Sequence, residues 1–296
     1  MQGQSDLEMS YPRICAHRGF NTVAPEGTLP AYAAAVALGA DEIEVDIWPT
    51  KDGDIMVFHD RVLDRTTDGH GRIMDLTTKE VLALDAGSWY SPRFAGCRIA
   101  FFEEVLERFA SQVLINIHIK PFYAQADISQ RMRRRLSYQH DVYVSGKPLM
   151  PPLPAGIEET FPEVEAYEPP DYDEKTFARL LDLLDKHHAR DRVYIAGTKD
   201  VLRTALRMAP DITRDCIEGD SNYTIVENAL RYKCKKLQFI KLFLTQRMID
   251  EAHRHGLTCN MFWADDPAEA AAFQKLGIDT ILTNNFLNVK RAFSAL

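Results

Sequence analysis

Eight short apolar runs alternate with eight segments of helix length along the chain, and this alternation restricts the possible folds more than any other feature. The predicted strands are residues 13–17, 42–47, 113–119, 192–196, 211–217, 237–242, 257–263 and 278–283. The predicted helices are residues 28–38, 101–110, 173–188, 198–208, 222–233, 245–255, 266–276 and 286–294. Strands such as residues 113–117 are largely apolar on both faces, as a parallel sheet covered by helices requires. The pattern predicts an α/β protein with the (β/α)₈ TIM-barrel fold.

The chain length fits one such barrel with insertions, so we expect residues 1–296 to form a single domain. An open doubly wound sheet is the competing fold, but no glycine-rich phosphate loop follows any predicted strand. Two segments interrupt the alternation, at about 60–98 and 121–172; the first is rich in turns and the second in proline. We interpret both as lids or substrate-facing insertions, with disorder as the alternative for the middle of the second.

Charge and hydropathy exclude several classes of partner. The net charge of −8 argues against binding to nucleic acid. No apolar window is long enough for a membrane span, and the first residues do not resemble a signal peptide. The five cysteines include no Cys-x-x-Cys pair, which favours a reducing compartment. We therefore expect a cytoplasmic protein that acts on a small molecule, with no prediction of its oligomeric state.

Three polar clusters end or interrupt apolar runs within the first sixty residues: His17-Arg18-Gly19, Glu44-Val45-Asp46 and His59-Asp60. Active sites of barrels lie at the carboxyl ends of the strands, where we expect these clusters to meet. Two imidazoles, a guanidinium and two carboxylates suit a metal-assisted attack on a phosphate ester. The histidines would transfer protons, the carboxylates would hold a cation, and the arginine would bind the phosphate.

A ninth strand-like run, residues 55–59, follows residues 42–48 after only six residues. This gap is too short for a helical crossover, so it predicts an antiparallel hairpin that turns at residues 51–53. Folding the chain there lays His59 beside Asp46. The hairpin is therefore expected to bring the second histidine to the carboxylate pair.

An ordered series of motifs closely resembles the glycerophosphodiester phosphodiesterase family. The motifs are His17-Arg18-Gly19, residues 24–28, Glu44-Val45-Asp46, residues 50–53, Phe58-His59-Asp60, and residues 63–69, 84–89 and 277–284. The resemblance covers most of the chain except residues 121–172. It implies a TIM barrel that uses a divalent metal ion and a histidine pair to hydrolyse glycerophosphodiesters to an alcohol and glycerol 3-phosphate.

The resemblance also implies a role for each matching residue. The acid–base pair is His17 and His59, with His17 preferred as the base; the metal ligands are Glu44 and Asp46; the phosphate contacts are Arg18 and Lys120. Two positions depart from the family pattern, because Gly27 replaces an asparagine and Asn284 replaces an aspartate. These changes keep open a different phosphodiester substrate, such as a lysophospholipid or a sugar phosphodiester. A phosphate-binding barrel without catalysis is the third hypothesis, and the two histidines argue against it.

The third departure is His118, which stands where the family has a glutamate metal ligand. One interpretation makes His118 the third ligand beside Glu44 and Asp46; the other makes it a rim histidine, with the metal held by the carboxylates and water. We favour ligation, because His118 and Lys120 share the inward face of their strand. The cation would be Mg²⁺, Ca²⁺ or Mn²⁺, and an imidazole ligand favours Mn²⁺ or Zn²⁺ over Ca²⁺.

Two further positions carry two interpretations each. Trp263, our candidate substrate contact, ends the seventh strand beside Phe262, and an aromatic residue there lines the pocket or fills the barrel core. Asp60 either orients His59 or caps the turn that follows it.

Overall fold

Eight parallel strands close into a barrel in the computed structural model, which describes residues 11–123, 168–219 and 224–294. The eight barrel strands are β1 (Arg13–His17), β2 (Glu42–Pro49), β4 (Leu114–Ile119), β5 (Val193–Gly197), β6 (Thr213–Cys216), β7 (Lys236–Ile240), β8 (Thr258–Phe262) and β9 (Thr280–Thr283). An additional strand, β3 (Ile55–Val57), pairs with β2 outside the ring. Each barrel strand pairs in parallel with its neighbours, and β1 closes the ring by pairing with both β2 and β9. The predicted (β/α)₈ fold is confirmed.

The helices surround the barrel. They are α1 (Leu29–Ala37), α2 (Thr78–Leu82), α3 (Phe102–Phe109), α4 (Glu174–Lys186), α5 (Lys199–Met208), α6 (Ile225–Arg231), α7 (Gln246–Arg254), α8 (Pro267–Lys275) and α9 (Phe286–Ser294). Every predicted helix is present within a few residues of its expected bounds, and α2 is an addition inside the first insertion. No helix in the described ranges has the length and apolar composition needed to cross a membrane.

The additional strand predicted at residues 55–59 forms the expected hairpin. β3 runs antiparallel to the end of β2, with Ile47 opposite Val57. The strand ends two residues earlier than expected, at Val57, although the Phe58 amide still donates to the Asp46 carbonyl at 3.0 Å. His59 therefore lies just past the strand, next to the end of β2.

The first insertion packs against the hairpin through an apolar cluster of its own. Trp48, Met56 and Phe58 from the hairpin contact Leu63 and Val81 in this cluster. This packing gives the loop after His59 a fixed position beside the barrel. Of the second insertion, residues 124–167 lie outside the described ranges, so its interpretation as a lid is untested.

Buried polar side chains fill the barrel at the end where β1 and β2 begin. The Arg13 guanidinium donates to Glu42 at 3.2 Å, and the Tyr194 hydroxyl donates to the second Glu42 oxygen at 2.6 Å. All three side chains are almost fully buried. Asn260 continues the network by donating to Asp215 at 2.9 Å. The interior of the barrel is thus more polar than the apolar runs of the sequence indicate.

Candidate active site

The backbone turns sharply where β1 ends, and this turn aims two groups at the barrel mouth. Arg18 and Gly19 both have positive φ, 57° and 81°. A side chain at residue 19 is excluded by space as well, since its Cβ would lie 2.7 Å from the Ala31 carbonyl carbon. The turn directs the Arg18 amide to Glu44 Oε2, at 3.1 Å. Sequence and packing together thus hold the end of β1 against β2.

The carboxylates of β2 meet the imidazole of β4. Asp46 is the register partner of His118, so their side chains leave the sheet on the same side. His118 Nδ1 lies 3.0 Å from Asp46 Oδ1 and 3.6 Å from Glu44 Oε1. One donor atom from each of the three residues lies within 4.8 Å of the other two. The predicted metal-ligand set is therefore brought together.

This donor set fits a divalent cation. Glu44 and Asp46 are buried, and neither Asp46 oxygen accepts a well-aligned hydrogen bond from the described residues. Buried carboxylate oxygens without donors are costly unless positive charge compensates them. Lys120 Nζ supplies part of that charge, 2.6 Å from Asp46 Oδ1 and 3.0 Å from His118 Nδ1. Two carboxylates and an imidazole suit Mn²⁺ or Zn²⁺ chemically.

Cationic neighbours keep Asp46 ionised. Burial opposes its negative charge, but Lys120, His59 and Arg18 outweigh burial and hold the pKa of Asp46 well below its usual range. Arg18 Nε lies 3.4 Å from Asp46 Oδ2, and Arg18 also donates to Glu26 at 2.7 Å. The site therefore combines a fixed anionic centre with two cationic side chains at its edge.

The environment of His17 determines which ring nitrogen is available. Its Nδ1 lies 2.7 Å from Asn284 Oδ1, and Asn284 donates through its own amide nitrogen to Asp265 at 3.0 Å. Because Asn284 Oδ1 is an amide oxygen and can only accept a hydrogen bond, His17 Nδ1 must carry the proton. Nε2 is then a lone-pair acceptor, 4.0 Å from Glu44 Oε2. Burial lowers the pKa of His17, so the ring is neutral at pH 7.

His59 has a charged partner instead. Its Nδ1 lies 2.5 Å from Asp60 Oδ1, which is the contact expected if Asp60 orients the ring. Burial, followed by the charge of Lys120, lowers the pKa of His59 to about 4, although Asp46 and Asp60 oppose this. Burial of Asp60 is outweighed by hydrogen bonds from His59 and Arg65, which lower the pKa of Asp60. Asp60 is thus a carboxylate at neutral pH.

Arg18, Asp46 and His59 line one pocket together with Gly27 and Tyr32. A Cβ at residue 27 would meet only Val57, at 3.8 Å, so the glycine leaves space in the pocket wall. The Tyr32 hydroxyl is buried and has no hydrogen-bond partner among the described residues. The pocket wall therefore holds unsatisfied polar atoms of Tyr32 and Asp46.

The two aromatic residues at the end of β8, Phe262 and Trp263, contact different side chains. The Phe262 ring packs on His17 with 4.7 Å between ring centroids. Trp263 is half-buried, and Lys241 Nζ lies 4.6 Å from its ring centroid. Phe262 is therefore the aromatic residue in direct contact with the proposed base, and a substrate contact of Trp263 remains a prediction.

Several groups of this site were not predicted from the sequence. Glu26 contacts Arg18, and Arg65 contacts both Glu26 and Asp60. Asp265 accepts from the side-chain amide of Asn284 and so fixes its orientation. Arg65 and Glu26 lie within motifs that carried the resemblance, which is the signal that could have identified them. The roles of Asp265 and Tyr32 depend on contacts between distant segments, and no local pattern marks them.

The sequence of this chain is similar to those of known proteins. A family model described as the glycerophosphoryl diester phosphodiesterase family matches residues 17–148. A glycerophosphodiester phosphodiesterase of Caldanaerobacter subterraneus subsp. tengcongensis is 28% identical over 274 residues, which are 92% of this chain and 93% of that protein. Bacillus subtilis (strain 168) YhdW is 44% identical over 123 residues, 42% of this chain. That match spans 51% of YhdW, about half of its length.

Solved structures share the whole fold. An Oleispira antarctica phosphodiesterase in complex with the product sn-glycerol-3-phosphate has a TM-score of 0.74 at 21% identity, covering 96% of this chain and 97% of that chain. A glycerophosphodiester phosphodiesterase from Agrobacterium tumefaciens str. C58 has a TM-score of 0.67 at 19% identity, covering 97% and 100% of the two chains. At these identities the similarity concerns the fold alone.

Proposed function

We propose that this chain, whose residues 17–148 match the model of the glycerophosphoryl diester phosphodiesterase family, is a phosphoric diester hydrolase that converts glycerophosphodiesters to an alcohol and glycerol 3-phosphate. The observation that carries this proposal is the pocket lined jointly by Arg18, Asp46 and His59. The Arg18 guanidinium, the Asp46 carboxylate and the His59 imidazole line this one pocket. These are the kinds of group that cleavage of a phosphate ester needs.

Charge at the pocket favours a phosphodiester. Such a substrate carries one negative charge, which repels an incoming oxygen nucleophile. Arg18 lines the pocket and its Nε lies 3.4 Å from Asp46 Oδ2, whereas Lys120 Nζ lies 2.6 Å from Asp46 Oδ1. They are the groups that would bind the phosphate oxygens and stabilise the extra negative charge of the transition state. A divalent cation held by Glu44, Asp46 and His118 would add positive charge at the same place.

The two histidines have different partners, which suits them to different roles. His17 donates to a neutral amide, so its buried ring stays neutral and its Nε2 can accept a proton. His59 donates to a carboxylate, which stabilises an imidazolium. The pKa of His59 is lowered to about 4 by burial and then by Lys120. A bound phosphate would offset the Lys120 charge and raise that pKa, so we assign His17 as the base and His59 as the acid.

The proton transfers then balance. His17 Nε2 takes the proton of the attacking hydroxyl as a new P–O bond forms. If that hydroxyl belongs to water, glycerol 3-phosphate forms directly; if it is a neighbouring hydroxyl of the substrate, a cyclic phosphate forms first and water must then open it. The P–O bond to the departing alcohol breaks, and His59 gives its proton to the alkoxide. Each general acid–base step of this kind contributes about 10²- to 10⁴-fold to the rate.

A substrate panel tests the proposed function. The purified chain, incubated with Mn²⁺ and monitored by phosphorus NMR, is expected to convert glycerophosphocholine or another glycerophosphodiester to glycerol 3-phosphate. A lysophospholipid and a sugar phosphodiester serve as the competing substrates, because Gly27 leaves space in the pocket wall. Turnover of only a competitor would replace the substrate assignment. Failure to cleave any diester, including bis-p-nitrophenyl phosphate, with each common divalent metal would favour a binding protein.

His118 is expected to contribute directly to metal affinity. Changing His118→Ala removes one of the three donors and should weaken Mn²⁺ binding, measured by titration calorimetry, by at least about tenfold, the size found for losing even an outer-sphere partner. His70→Ala is the matched control, since His70 is exposed and its Nδ1 contacts Asp64 and none of the three proposed metal ligands. Loss of activity with unchanged Mn²⁺ affinity would contradict ligation by His118.

A further inference from the structure

Arg65 lies in the loop after the hairpin and joins two carboxylates that each contact a residue of the site. Its Nε donates to Asp60 Oδ2 at 2.6 Å, and its Nη2 donates to Asp60 Oδ1 at 3.1 Å. Its Nη1 donates to Glu26 Oε2 at 3.0 Å, and Nη2 also donates to Glu26 Oε1 at 2.7 Å. The planar guanidinium is the side chain that can make two such paired contacts at once.

Each carboxylate continues the chain of contacts inward. Glu26 also accepts from Arg18, and Asp60 accepts from His59. Arg65 therefore connects the side of the pocket that would bind phosphate with the side that would transfer the proton. This connection matters because His59 lies past the end of β3, where no strand pairing fixes its ring.

We propose that Arg65 is a positioning residue that holds His59 in its reactive orientation by fixing the Asp60 carboxylate. This inference rests on the proposed function for its kinetic consequence. Without the guanidinium, the Asp60 carboxylate can rotate about its side-chain bonds and carry the imidazole with it. A displacement of about 1 Å at a reacting group can lower a rate about 10²-fold.

The position of Arg65 allows this role to be separated from folding. Its side chain is 45% exposed, and exposed ion pairs contribute little to stability. Arg65→Met is therefore expected to fold normally while lowering kcat by up to about 10²-fold. Arg65→Lys keeps the charge but loses the paired geometry, so it should restore only part of the rate.

Arg72 provides a matched control in the same insertion. Its Nε and Nη2 each donate to Asp75 at 2.7 Å, and its side chain is about as exposed as that of Arg65. Arg72→Met should leave kcat unchanged. An equal loss in Arg65→Met and Arg72→Met would attribute the effect to the loop as a whole and overturn the proposal.

A double-mutant cycle identifies the residue through which Arg65 acts. If the effect passes through His59, Arg65→Met should cause no further loss in a His59→Asn background. Full additivity of the two losses would overturn the proposal. Inactivity of the unmodified chain toward every diester would instead contradict the proposed function.

Proton NMR gives a readout that is independent of activity. The His59 Nδ1 proton donated to Asp60 should give a far-downfield signal, identified by its absence in His59→Asn. That signal should be lost or broadened in Arg65→Met and kept in Arg72→Met. An unchanged signal in Arg65→Met would show that Arg65 does not position the ring.

Discussion

Changing His17→Asn is expected to lower kcat for phosphodiester hydrolysis by about 10³-fold, within the range that one acid–base group contributes. The reason is geometric: the Asn284 contact leaves Nε2 as the accepting nitrogen, and burial keeps the ring neutral. Asparagine can hydrogen-bond but cannot accept a proton at neutral pH. Steady-state kinetics on the substrate identified by phosphorus NMR would measure the loss.

Two controls separate proton transfer from structural effects of that substitution. His187→Asn changes another part-buried histidine, whose Nε2 contacts Glu103 at 3.0 Å on the outside of the barrel, and should leave kcat unchanged. Mn²⁺ affinity of His17→Asn should also be preserved, since His17 is outside the donor set. A kcat close to that of the unmodified chain would rule out His17 as the base.

The sequence predicted the framework of the fold because its strands and helices differ in periodicity and length. The hairpin was predictable for a similar reason: six residues between β2 and β3 cannot contain a helical crossover. That single inference predicted His59 beside Asp46, and the hairpin itself is confirmed by the hydrogen bond from the Phe58 amide to the Asp46 carbonyl. The similarity to the glycerophosphoryl diester phosphodiesterase family was also recognisable, since ordered motifs carry it.

Contacts between distant segments account for what the sequence did not predict. The strand spacing indicated that Lys120 faces inward, but its 2.6 Å contact with Asp46 depends on how the long side chain bends. The interaction of Asn284 with His17 joins residues 267 positions apart. Arg65 reaches Glu26 only because the first insertion packs on the hairpin. Periodicity fixes the face on which a side chain lies, whereas packing decides its partner.

Changing Glu42→Leu is expected to destabilise the fold by about 3–5 kcal/mol, the usual cost of removing one partner of a buried ion pair. Arg13 and Glu42 are almost completely buried, and Glu42 accepts from both Arg13 and Tyr194. The substitution removes the carboxylate that accepts from both the Arg13 guanidinium and the Tyr194 hydroxyl. Urea unfolding followed by circular dichroism would measure the change in the free energy of unfolding.

Two comparisons make this result specific to the buried pair. The double variant Arg13→Met with Glu42→Leu removes both charges and should recover much of the loss, because a well-packed apolar pair can replace a buried ion pair. Glu227→Leu breaks an exposed pair with Arg231 on α6 and should cost less than about 1 kcal/mol. If Glu42→Leu were as mild as Glu227→Leu, the ion pair would not stabilise the barrel. A large loss that the double variant repairs is the expected result, and it would mean that desolvation of the buried Arg13 charge, and not the attraction within the pair, dominates the energetics of this end of the barrel.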